Sequence, residues 1–114
     1  MNRIQLADLI FSKIGKNKKI LMKQYQDSKS GIGYFFVDDV LPEEVVIAIH
    51  ENFPKFSEMT LKKSLREDKY IAAQMNLFHP VLEDLIYAFH DEKIVKLISE
   101  ICQIKECFPD DKLY

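Results

Sequence analysis

Four prolines punctuate this chain, at positions 42, 54, 80 and 109, and they set where its helices can run. Proline has no amide hydrogen and its ring clashes with the preceding turn, so it suits the first turn of a helix and ends one elsewhere. Residues 2–28 contain none, and their apolar positions Ile4, Leu6, Leu9, Ile10, Ile14, Ile20, Leu21 and Tyr25 recur near helical spacing, interrupted only by Gly15. A long or two-part helix is expected there. Pro42 fits the first position of a helix reaching Phe53, with Glu43 and Glu44 complementing the positive end of its dipole. Its core stripe is Val45, Ala48, Ile49 and Phe53, and Pro54 closes it. His79 and Pro80 open a further helix with Val81, Leu82, Leu85, Ile86 and Phe89 apolar. Asp91 caps the last, which turns Ile94, Val95, Leu97, Ile98, Ile101 and Cys102 inward.

The segments between these helices read differently. Residues 28–33 hold Gly31 and Gly33 and are expected to turn, glycine supplying the positive φ that a reversal uses. Tyr34, Phe35, Phe36 and Val37 are aromatic and β-branched, bounded by glycine and by Asp38 and Asp39, which predicts a short buried strand. Residues 55–68 are charged with scattered apolar positions and read as irregular, residues 69–75 as a second, weaker strand, and residues 108–114 as loop. The chain therefore reads as α+β, mostly helical with two or so short strands. A basic helical segment occupies residues 1–30 and a strand and helix region residues 31–114. With 114 residues, 47% of them hydrophobic and 30% charged, it has a core to bury and room for a single domain.

Charge is unevenly shared. Residues 1–30 carry seven basic and two acidic side chains, residues 31–114 nine basic and sixteen acidic, so the two parts should attract. Arg3, Lys13, Lys16, Lys18, Lys19, Lys23 and Lys29 read as a solvated helix face; a nucleic-acid footprint would need interleaved aromatic residues, and only Tyr25 comes near. Cys102 and Cys107, five apart, would lie about 140° apart around a helix, ill placed to share a bridge or a metal. Reduced thiols fit a cytoplasmic protein. The longest apolar runs, residues 45–49 and 85–89, are far short of the roughly 20 residues a spanning helix needs.

No phosphate-binding, dinucleotide-binding, nucleophile-elbow or zincin string occurs. His50 falls on the exposed side of its helix, His79 at a helix start and His90 at a helix junction. His90, Asp91 and Glu92 spell the His-x-Glu half of an iron triad, but no histidine follows, and the two acids serve better as helix N-terminal residues. The acid pairs Asp38 with Asp39, Glu43 with Glu44, Glu83 with Asp84 and Asp110 with Asp111 fall at element boundaries, as caps and solvated ends do.

The run Tyr34-Phe35-Phe36-Val37-Asp38-Asp39-Val40-Leu41-Pro42-Glu43-Glu44-Val45 resembles the opening of a prolyl-hydroxylase-like Fe(II)/2-oxoglutarate-dependent oxygenase, where such a strand leads into a first amphipathic helix. Ser64 to Tyr70, Phe78 to Phe89, the helix through Ile94, Leu97, Ile98 and Ile101, and Pro109 to Tyr114 resemble successive segments of the same N-terminal region. The resemblance covers most of residues 30–114. It implies that iron, held by His-x-Asp and a distant His, and 2-oxoglutarate, gripped by a basic residue, belong to a double-stranded β-helix that would follow. A jelly roll needs about eight strands, and nothing after Asp91 reads as one.

No catalytic, cofactor-binding or metal-binding residue is therefore expected in this chain, whose fold is incomplete relative to a jelly-roll oxygenase. Fe(II) and 2-oxoglutarate are implied only for a complete family member. The leading expectation is a truncated or split N-terminal part of such a dioxygenase, not catalytic alone, with a separately encoded catalytic barrel as partner. The barrel would pack on residues 34–37 and on the helix through Ile94 and Ile101. The alternative is a small stand-alone interaction module that binds an acidic partner or nucleic acid through its basic N-terminal helix.

Overall fold

The computed structural model describes residues 1–72, 75–105 and 107–109. Five α-helices and one two-stranded sheet are present among them. The N-terminal helical stretch is two helices, α1 (Arg3–Lys16) and α2 (Lys18–Ser28). The break falls at Asn17, not at Gly15: the Asn17 side chain donates to the Lys13 carbonyl at 2.9 Å and competes with the helical ladder. At the other end Asn2 and Gln5 cap α1 reciprocally, each side chain accepting from the other's amide. The run α3 (Glu43–Asn52) has Pro42 as its N-cap and not as its first helical residue. In α4 (Pro80–Phe89), His79 Nδ1 accepts from the Val81 amide, and in α5 (Glu92–Cys102) the Asp91 carboxylate accepts from Lys93. The Asp91 cap stands where the sequence placed it, and His79 stands at the helix start expected for it.

The strands are where expectation and structure part. Residues 34–37 join no sheet. Their exposure nevertheless alternates: Phe35 and Val37 pack against the helical core, whereas Tyr34 and Phe36 remain 58% and 61% exposed. The segment is half-buried, not buried, because no element among the described residues covers Tyr34 and Phe36. The sheet lies instead at β1 (Thr60–Lys63) and β2 (Asp68–Ile71), an antiparallel hairpin pairing Leu61 with Tyr70 and Lys62 with Lys69. β1 falls inside the stretch read as irregular, because four exposed residues with two lysines carry no period-two hydrophobic signal. The second expected strand holds only for its first half. Met75 already belongs to a 3-10 turn, and positions 73 and 74 lie outside the described residues.

The core is built by α1, α2 and α5, with α4 and α3 laid against it. Leu6, Ala7, Ile10 and Ile14 form one stripe on α1, and Ile94, Leu97 and Ile101 a facing stripe on α5; Leu21, Val45 and Ala88 complete the buried cluster. Residues from both sides of position 30 share this one core. The α5 face expected to await a barrel is thus already covered by α1 and α2. Ion pairs join the two parts as the charge asymmetry implies: Arg3 to Glu83 and Asp84, and Lys18 to Glu100, with Lys93 returning the favour to Asp8.

Neither glycine of the 28–33 turn adopts a positive φ. Gly33 instead lies against the Tyr25 ring, where a Cβ would stand 2.8 Å away and push the ring aside. The left-handed conformation belongs to Asp39 (φ 58°) and to Gln103 (φ 56°), where α5 ends. The radius of gyration is 16.0 Å, against roughly 13 Å for a compact domain of this length.

Candidate functional site

An apolar concavity lies between α3, the hairpin and α4. Ile49 and Phe53 come from α3 and its C-cap, Tyr70 and Ala72 from β2 and the residue beyond it, and Leu82, Leu85 and Ile86 from α4; Met59 and the buried Pro54 close one end. The half-open groove encloses about 280 Å³ and is apolar throughout except for the Tyr70 hydroxyl. Its position follows from local structure. Pro54 stops α3, and the chain leaves it extended, so Phe53 stands at the groove wall and remains exposed, where the sequence had placed it in the core. Phe89 is likewise turned partly to solvent. Beyond the rim, the Phe56 and Tyr70 rings meet at a centroid distance of 4.7 Å, tilted by 46°, on an open surface. Such a contiguous apolar surface fits the packing of another apolar surface; it offers no nucleophile, base or metal ligand.

The three histidines are not brought together. His50 is exposed on α3, His79 is spent as the α4 cap, and His90 ends α4 with its ring edge-on to Tyr87 at 6.2 Å. Its Nδ1 is the one buried side-chain polar atom without a partner among the described residues. Glu92 is exposed and Asp91 serves as a cap, so His90, Asp91 and Glu92 do not converge. No group of three or more His, Cys, Asp or Glu that could hold a metal occurs among the described residues. These donors, scattered over separate elements, do not fit an iron site of the kind the resemblance implies for a complete enzyme.

Cysteine geometry needs correcting. Helix α5 ends at Cys102 and Gln103 reverses the chain, so the helical angle does not apply to Cys107, which is exposed beyond it. Cys102 is half-buried beside the core, and burial first, then the neighbouring Cys107, pushes its thiol pKa up. Of the basic residues near the N-terminus, Arg3, Lys18 and Lys23 are engaged in ion pairs, and Tyr25 is packed against Gly33 and not interleaved among lysines. Lys18 holds the Glu100 carboxyl below its ordinary value, and the hydrogen bond to Asp8 holds Lys93 above its own. No helix among the described residues is long and apolar enough to cross a membrane.

The sequence had no means of finding the groove. Phe53, Met59 and Tyr70 are separated by charged residues and come together only when the hairpin folds back on α3 and α4. Comparison of the chain with protein-family models, with curated proteins and with solved structures found no match.

Proposed function

We propose that this chain is the N-terminal helix and strand portion of a prolyl-hydroxylase-like Fe(II)/2-oxoglutarate-dependent oxygenase, a cytoplasmic scaffold that packs against a separately folded catalytic barrel. On this reading the barrel supplies every ligand to iron and 2-oxoglutarate, and this chain supplies none. The reading rests on the sequence resemblance over residues 34–45 and later segments. Its chief structural support is the uncovered groove of Ile49, Phe53, Tyr70 and Leu85, with Phe56 beside it. The contact expected on the helix through Ile94 and Ile101 is not part of the proposal, because that face is internal.

The test is co-expression with the barrel encoded in an adjoining reading frame, if translation of the three downstream frames yields one. The expected result is co-purification, with succinate formed from 2-oxoglutarate by the pair and not by this chain. A monomer that takes up no hydrophobic dye, with no barrel co-purifying, would overturn the proposal.

A further inference from the structure

Residues 34–37 behave as a strand that has found a support on one side and nothing on the other. The amide of Tyr34 donates to Ser28 Oγ at 2.9 Å and that of Phe36 to Gln24 Oε1 at 3.0 Å, so two side chains of α2 occupy alternate amides. In an extended chain successive amides point to opposite sides. Those of Phe35 and Val37 therefore face away from α2, and neither has a protein acceptor among the described residues. Side-chain burial keeps the same period of two, with Phe35 and Val37 toward the core and Tyr34 and Phe36 outward.

A row of unpaired amides and carbonyls on an apolar segment is a template for strand addition. Charge limits what can be added. Asp38 and Asp39 follow the segment at once and Glu43 and Glu44 after three more residues, all exposed, and none takes part in an ion pair among the described residues. The α3 dipole offsets part of the charge of the two glutamates but leaves the aspartates uncompensated. A second copy of this chain would bring the same four carboxylates to the contact and is disfavoured by like charge. We infer that the open edge of residues 34–37 receives an extended strand of a partner protein that carries basic side chains, paired through the Phe35 and Val37 amides. The inference rests on the unpaired amides and the neighbouring carboxylates and not on the oxygenase reading, which had placed a barrel against the same residues 34–37.

The test is amide hydrogen exchange by NMR on the full chain, alone and with a short synthetic peptide of alternating valine and lysine, beside a valine and glutamate counterpart. The lysine peptide should slow exchange at Phe35 and Val37 several-fold, leave Tyr34 and Phe36 unchanged, and lose its effect at high salt. The variant Asp38→Lys with Glu44→Lys, both exposed positions, should transfer the protection to the glutamate peptide. Equal protection by both peptides, protection by neither, or protection that grows with protein concentration without peptide would each overturn the inference; the last would indicate pairing of two copies.

Discussion

Ile10 and Ile4 lie on the same helix and differ only in where α1 points them: Ile10 is 0% exposed among the stripes of α1 and α5, and Ile4 is 68% exposed. Replacing Ile10 by Ala removes three buried carbons, about 2.4 kcal/mol at roughly 0.8 kcal/mol each. A cavity that cannot fully collapse, walled by rigid helices on both sides, adds about 1 kcal/mol more. The expected loss for Ile10→Ala is therefore about 3–4 kcal/mol, a large share of the roughly 5–15 kcal/mol that holds a domain together. Ile4→Ala should change stability by less than about 0.5 kcal/mol, since exposed substitutions rarely do more and alanine is the better helix former. Urea unfolding followed by circular dichroism at 222 nm (a standard helix signal), with a common slope fitted to both variants, measures the two values. Equal losses, or a loss below about 1 kcal/mol for Ile10→Ala, would refute the claim that α1 and α5 form the core of this molecule.

Removing the α5 cap by Asp91→Ala should cost about 1 kcal/mol in the same assay, because the Lys93 amide loses its acceptor. The Glu100 carboxyl has its folded pKa below the ordinary 4.5, so its pairing with Lys18 stabilises above that value and is lost as pH falls through the lower folded one; Glu100→Gln should flatten this part of the acid limb, as unfolding midpoints at pH 6 and pH 3 would show. Lys93 has the opposite sign: its folded pKa is above 10.5, its contribution is complete below that value and lost as pH rises through the higher folded one, and Lys93→Met should remove this component from alkaline titrations. Alkylation by iodoacetamide mapped by mass spectrometry should label Cys107 several-fold faster than Cys102, whose thiol is half-buried and raised in pKa; equal rates would contradict its placement beside the core.

The helices were legible because each carries its own signals. Asn2, Asp91 and His79 act as caps through bonds that span three residues or fewer, and the stripes of Leu6, Ile10 and Ile14 or Ile94, Leu97 and Ile101 state a helical period without reference to the rest of the chain. Even the pairing of the two parts was visible as charge, and Arg3 and Lys18 do reach across to Asp84 and Glu100. Residues 34–37 were read as a short buried strand, whereas they join no sheet and only Phe35 and Val37 reach the core. Their aromatic and β-branched composition specifies an extended segment, but a strand is completed by hydrogen bonds to another strand, and which strand is present is not written in those four residues. The same limit hid β1, whose two lysines face solvent and whose pairing with β2 is decided by the turn between them.

Sequence by itself determined the helical elements and their boundaries to within a residue or so, and the inward stripes of α1 and α5 in outline, since backbone hydrogen bonds in a helix close within four residues. Only the tertiary structure decided that α5 is covered from within, that Phe53 stays outside, that Cys107 leaves the helix, and that a groove opens between α3, the hairpin and α4. Each of these depends on how elements distant in the chain pack. Burial is a property of neighbours, and neighbours exist only once the chain has folded.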